Sequence, residues 1–174
     1  MPVLLSKDTG RQPLMQSFQA FYSANKGKLF AYLMRMTGDY QLSCDMMQES
    51  FTRYLEHYGR NSRNRSLLFA IARNAALDDV RRNGRLYAAD TDEPEDGRNQ
   101  EQRLLVRESC RDVLEAMQTL KKSERDILAL VVSSDLSYRE VAELTGKSEA
   151  NVKVIVHRAR VKLKEILREE NGYE

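Results

Sequence analysis

Apolar residues recur at helical spacing along most of the chain. Leu14, Phe18, Phe21, Tyr22, Leu29, Leu33 and Met36 trace one stripe that ends near Gly38 and predicts a long amphipathic helix. Leu42, Met46, Met47, Phe51, Tyr54, Leu55 and Tyr58 predict the inward face of a second helix, stopped by Gly59. After a polar loop at 60–65, Leu67, Leu68, Ile71, Ala75 and Val80 lead to Gly84 in an alanine-rich third helix suited to close packing. Val106, Cys110, Val113, Leu114, Met117 and Leu120 mark a fourth, and the run from Ser123 to Asp126 reads as the capped start of a fifth.

The pattern sharpens toward the end of the chain. Ser137 and Glu140 have the spacing of a capping box that opens a short helix through Leu144, closed by Gly146, and Ser148 stands as N-cap of a last helix reaching about Arg168. Short helix, glycine turn and second helix are the parts of a helix-turn-helix. On the last helix Val152, Ile155, Val156, Ala159, Leu163 and Ile166 share one stripe, while Lys153, His157, Arg160 and Lys164 lie on another face.

Composition narrows the class. Only 8 Gly and 3 Pro occur in 174 residues, a helical composition, and 41% apolar residues with no Trp allow small cores rather than one large one. The expected fold is all-α, with two small helical domains at 14–84 and 104–170 joined by a flexible acidic linker at 85–103. The longest apolar run, from Ile127 to Val132, is far too short to span a bilayer, and the N-terminal apolar stretch is too short for a signal peptide, so a cytoplasmic protein is expected. Cys44 and Cys110 lack redox or zinc spacing, and His57 and His157 are the only histidines, so no metal and no cofactor are expected. No nucleophile, base and orienter set appears, which argues against an enzyme.

The 28 basic and 26 acidic residues nearly cancel, but they are segregated. Val152 to Lys164 holds basic residues and no acid, as does Tyr58 to Ser66, while the segment between Arg85 and Arg103 is rich in acids. Either basic run alone fits a solvated face; what favours DNA for the first is its place on the second helix of a helix-turn-helix. The second, with arginines and short amides beside tyrosines, suits either an ordinary polar loop or a grip on an unstacked strand.

The stretches Asp45 to Phe51, Ile71 to Asn74 and Asp78 to Arg82 resemble region 2 of the extracytoplasmic-function sigma factors. Leu120 to Arg125, Leu136 to Gly146 and Val152 to Arg160 resemble region 4 of the same family. Together they cover nearly the whole chain past residue 14. The resemblance implies a promoter-specificity subunit that binds RNA polymerase core, recognises −35 and −10 promoter elements and promotes melting. It implies core binding by Asp45, Gln48, Glu49 and Thr52, which share a helix face. It implies capture of the melted −10 strand by Asn61, Ser62 and Asn64, with Arg60, Arg63 and Arg65 on phosphate. On the last helix it implies −35 contacts from Ser148, Asn151, Lys153, Val154, His157, Arg158, Arg160 and Lys164, with Lys162 among the phosphate contacts. A further implied partner is an anti-sigma factor, and with polymerase the protein would associate with the nucleoid. Leu67, Lys121, Lys147, Asn151 and Ile155 depart from residues common in the family, and the last three bear on which promoter sequence is read. The alternative is a helix-turn-helix regulator that binds an operator without polymerase, which leaves the Asp45 to Phe51 stretch without a role.

Overall fold

The computed structural model describes residues 11–83 and 100–170, with side chains over 18–82 and 110–169. The expected linker therefore lies largely outside the described residues, except that 100–103 are already helical. Among the described residues the chain is all-α: α1 (Arg11–Thr37), α2 (Tyr40–Tyr58), α3 (Arg65–Asn83), α4 (Gln100–Thr119), α5 (Lys122–Ser133), α6 (Tyr138–Thr145) and α7 (Glu149–Glu170). No helix among them is long and apolar enough to cross a membrane.

Local chemistry explains most boundaries. Asp39 caps α2, its carboxylate accepting from the Leu42 amide at 2.8 Å, and Gly59 ends it at φ 68°. Asn64 caps α3 by accepting from the Leu67 amide at 3.2 Å. The Ser137 and Glu140 box is present in full, Gly146 turns the chain at φ 66°, and Ser148 Oγ accepts from the Asn151 amide at 3.2 Å. One expected cap is wrong: α5 begins at Lys122, before Ser123, and its cap position is Lys121, which makes no side-chain cap bond. There the Lys121 carbonyl accepts from both the Glu124 and Arg125 amides at 2.9 Å, so the first turn closes on backbone and Ser123 lies inside it.

The first three helices pack on one another, with Phe21, Leu29, Leu33, Met36, Phe51, Tyr54, Leu68 and Phe69 buried between them. On α3 the buried face is Leu68, Phe69, Ala72 and Ala76, while Leu67, Ile71, Ala75 and Val80 are only half-buried. Tyr58 also departs from the expected inward face: it is exposed and leans on Tyr54 with ring centroids 5.4 Å apart. In the second unit α5 lies against α6 and α7, and Ile127, Leu130, Val141, Val152, Val156 and Ala159 are buried there. Val113 and Cys110, expected on the inner stripe of α4, are exposed, whereas Ala116, Met117 and Leu120 are buried.

The two units also pack against each other. α5 and α4 both reach α1, α3 touches α6, and the buried side chains of both halves join in one cluster. Gly38, at φ 71°, makes the turn from α1 to α2 where α4 comes close, because a Cβ there would sit 3.4 Å from the Gln118 side chain. Gln118 Nε2 donates to the Arg35 carbonyl at 3.2 Å, and Arg125 Nη1 donates to the Met36 carbonyl at 3.1 Å. These bonds satisfy carbonyls at the end of α1 that the helix itself leaves open.

Candidate nucleic-acid and polymerase interface

On α2, Asp45, Gln48, Glu49 and Thr52 are all exposed, while Met46 and Met47 rest against the core and Phe51 is buried. The sequence spacing therefore produces one polar face with an apolar back. Gln41 Nε2 donates to Asp45 at 3.1 Å and Arg53 pairs with Glu49 at 2.6 Å, both one helical turn away. Pairs of this kind at the surface hold a side-chain direction at little energetic consequence, on the order of 0.5 kcal/mol.

The loop between α2 and α3 is organised from below by Tyr54, which is fully buried. Its ring stacks on Phe21 at 5.3 Å. Its hydroxyl accepts from the Asn64 amide at 2.9 Å and lies 2.7 Å from Ser62 Oγ. Ser62 and Asn64 thus spend part of their hydrogen-bonding capacity inside the protein, and Asn61 is exposed with no partner among the described residues. Arg63 folds back onto the Ser62 carbonyl at 2.6 Å and also donates to that of Arg60, while Arg60 is exposed.

Arg65 has a different setting from the other two arginines. As the first residue of α3 it donates to the carbonyls of Ser134 at 3.4 Å and Asp135 at 3.2 Å, in the turn before α6. Lys28 pairs with the Asp135 carboxylate, and that hydrogen bond holds its pKa below the usual range. Ser66 reaches Glu140 at 3.5 Å. The end of the loop is therefore docked on the second unit.

On α7, Asn151, Lys153, Val154, His157, Arg158, Arg160 and Lys164 are exposed, with Val152, Val156 and Ala159 buried behind them. Ile155 is half-buried against the core, as its place on the stripe requires. Lys153 bonds to Glu149 at 2.7 Å, which raises its pKa, and lies over the Tyr138 ring at 5.8 Å. Lys162 is not available for phosphate in this arrangement. Its Nζ donates to both carboxylate oxygens of Glu124 at 2.8 Å and ties α7 to α5.

Sequence reasoning missed the polar cluster at the seam between the units. Arg73 Nε donates to Asp126 at 2.8 Å and Tyr32 donates to the other oxygen of that carboxylate at 3.0 Å. Burial, then the Asp126 charge, pushes the Tyr32 hydroxyl well above the usual phenol range, so it remains a donor. Arg73 also reaches the Leu144 carbonyl at 3.4 Å, and Lys122 donates to that of Leu77 at 2.9 Å. A cleft of about 400 Å³ opens beside this cluster, lined by Arg73, Leu77, Lys122, Asp126, Thr145 and Lys147 among others. Arg73 lies in the stretch from Ile71 to Asn74, so its position was marked, but its partner is 53 residues away and carries no local signal.

Residues 21–86 match the family model of sigma-70 region 2, and residues 110–163 match that of sigma-70 region 4. The chain is 31% identical over 147 residues to the ECF RNA polymerase sigma factor SigM of Bacillus subtilis, an overlap covering 82% of this chain and 90% of that relative. It is 28% identical over 166 residues to the RNA polymerase sigma factor CarQ of Myxococcus xanthus, covering 91% of this chain and 94% of the other. In fold it resembles the sigma factor RpoE solved in complex with the anti-sigma factor NepR from Bartonella quintana, with a TM-score of 0.60 at 20% identity over 91% of this chain and 96% of that one.

Proposed function

This chain belongs to the extracytoplasmic-function RNA polymerase sigma factors, and from that membership we propose how its surfaces divide the work. As an alternative sigma factor it binds polymerase core and directs promoter recognition, acting as a DNA-binding initiation factor. A free-standing operator-binding regulator is not favoured, because the region 2 match would then have no task.

In this reading 14–84 binds core and the −10 element, 85–103 links, and 104–170 binds the −35 element. The α2 face of Asp45, Gln48, Glu49 and Thr52 docks on core. The −35 element meets α7 in the major groove: Ser148 sets the helix start, where open amides favour a phosphate, Lys153 and Arg158 face guanine, Asn151 faces adenine, and Val154 faces a thymine methyl. His157 lies beside them, and Arg160 and Lys164 hold backbone. The observation that carries this is the exposure of all these side chains on a helix whose Val152, Val156 and Ala159 are buried. No catalytic step is assigned. The site of action is the cytoplasm, at the nucleoid when polymerase is bound, and the regulator is an anti-sigma factor that covers the polymerase-binding surfaces.

The α2 to α3 loop captures a base of the melted −10 strand. Unstacking a base costs a few kcal/mol, which the pocket has to offset. Asn61 has its amide free to read the base, Asn64 caps α3 with its amide oxygen and so keeps its amide NH2 for the base, and exposed Tyr58 offers a ring for stacking. Arg60 and Arg63 serve the adjoining phosphates, and Arg65 does so once released from Ser134 and Asp135. Asn61→Ala should leave core affinity unchanged and abolish permanganate reactivity of promoter thymines in the holoenzyme complex. Normal melting in that variant would move the capture site elsewhere.

A further inference from the structure

The capture loop is short and polar, with arginines that repel one another, so something must fix its shape before DNA arrives. We propose that Tyr54 is a positioning residue for −10 recognition, whose buried hydroxyl sets the loop in its base-reading form. This deepens the reading just given of the loop and rests on it.

Three observations carry the inference. The Tyr54 ring is fully buried and held by Phe21, so the hydroxyl is presented from a rigid base. That one oxygen engages both ends of the reading segment: it accepts from the Asn64 amide and, with that lone pair engaged, is placed to donate to Ser62 Oγ. Asn64 in turn caps α3 with its side chain, so the same contact ties the loop to the first turn of the helix behind it. Between the two anchored residues only Arg63 intervenes, and its guanidinium folds back onto the Ser62 and Arg60 carbonyls, while exposed Asn61 stands just before the anchor. Tyr54 also supports Tyr58, so the stacking ring and the polar readers share one foundation.

Fixing a loop in advance removes an ordering cost that base capture would otherwise have to meet. Loss of the hydroxyl should therefore reduce discrimination at the captured base, beyond any loss in the amount of active protein. A tyrosine serving only as core filling would give no such effect, because phenylalanine keeps the ring.

The test uses holoenzyme assembled with wild-type chain, Tyr54→Phe, Ser62→Ala or Asn61→Ala, and a single-stranded DNA pool randomised over the −10 segment, selected and sequenced. Wild-type should enrich one base at the captured position. Tyr54→Phe should bind core normally and lower that enrichment about tenfold, the consequence of two lost hydrogen bonds. Ser62→Ala, which breaks one of the two from the surface side without touching the core, should give a smaller loss of the same kind. Wild-type base preference in both Tyr54→Phe and Ser62→Ala, with preference lost in Asn61→Ala, would overturn the positioning role and leave the loop reading intact. Wild-type preference in Asn61→Ala as well would overturn the loop reading and the inference together. If Tyr54→Phe assembles poorly with core, the fraction that does assemble is selected and sequenced, because base preference among bound strands does not depend on how much holoenzyme forms.

Discussion

Lys153 and Lys164 stand about three helical turns apart on the exposed side of α7, and their settings differ enough to separate two kinds of contact. Lys153 is held by Glu149 and by the edge of α6 through Tyr138, so its ammonium is aimed. Lys164 is exposed and has no partner among the described residues. In the proposed −35 contact, Lys153 would exchange the Glu149 carboxylate for a base, so part of the gain is offset. Lys153→Ala should cost roughly 1–3 kcal/mol on the preferred promoter and relax preference at one base pair. Lys164→Ala should weaken every sequence alike and lower the salt slope by about one. Binding profiles over promoter variants at several salt concentrations check both, and equal shifts for the two variants would remove the reading role from Lys153. Lys162 looked equivalent in the sequence; only the fold shows that Glu124 occupies it.

At the scale of the helix, α2 offers a polar face that does no packing. Reversing Asp45 and Glu49 to lysine should leave the helical circular dichroism intact while core affinity falls at least tenfold if this face is the proposed docking surface, because both of its charges change sign. Unchanged affinity would take the docking role from this face. The link between α5 and α7 makes a pH prediction. Glu124 is largely buried, with 14% of its side chain exposed, and the hydrogen bond from Lys162 lowers its pKa below the ordinary value. A carboxylate with a depressed folded pKa binds fewer protons in the native state than in the unfolded chain. Its contribution is thus full above the unfolded value of about 4.3 and disappears as pH falls through the folded value. With Lys162 partly exposed, solvent screening holds the pair to about 1 kcal/mol. Glu124→Gln should lower Tm by roughly 2–4 °C at pH 7, and the two melting curves should converge only as the pH falls through the depressed folded value, below the ordinary carboxylate range. A difference that persists in acid would assign the effect to packing.

The whole molecule is closed, and a promoter is long. Elements centred near −35 and −10 are separated by roughly 85 Å of B-form DNA at about 3.4 Å per base pair. A compact unit of this length is roughly 40 Å across. In the proposed division of work the closed chain is too short to touch both elements, so promoter engagement is expected to part the seam at which Arg65 meets Ser134 and Asp135 and Arg73 meets Asp126. Removing one member of a buried charged pair costs ~3–5 kcal/mol, because the partner stays desolvated. Asp126→Asn keeps a side chain of the same shape but removes that charge. Its X-ray scattering should show a radius of gyration several Å larger than wild-type with unchanged helical content, and −10 strand binding in the absence of core should strengthen. A variant as compact as wild-type would show that the seam holds without the Arg73–Asp126 charge pair, through its apolar contacts and its remaining hydrogen bonds.

The sequence by itself determined most of the helices, because their signals are local: the stripes of α1 and α2, the box at Ser137 and the cap at Ser148 all act within a turn or two. It also marked the exposed faces of α2 and α7, since a face is fixed once the helical period is known. Where a second surface covers a helix, the period misleads. Tyr32 lies off the expected stripe of α1 yet is buried, because α5 covers another side of that helix and meets the Tyr32 hydroxyl through Asp126. Tyr58 and Val113 lie on their stripes yet are exposed. The partners of Arg65, Arg73, Lys122 and Lys162 were equally out of reach, for each is set by packing between segments that are far apart in the chain. Tertiary structure alone decided the partners of these four cations, because the carbonyls and carboxylates that they meet come within hydrogen-bond distance only in the fold.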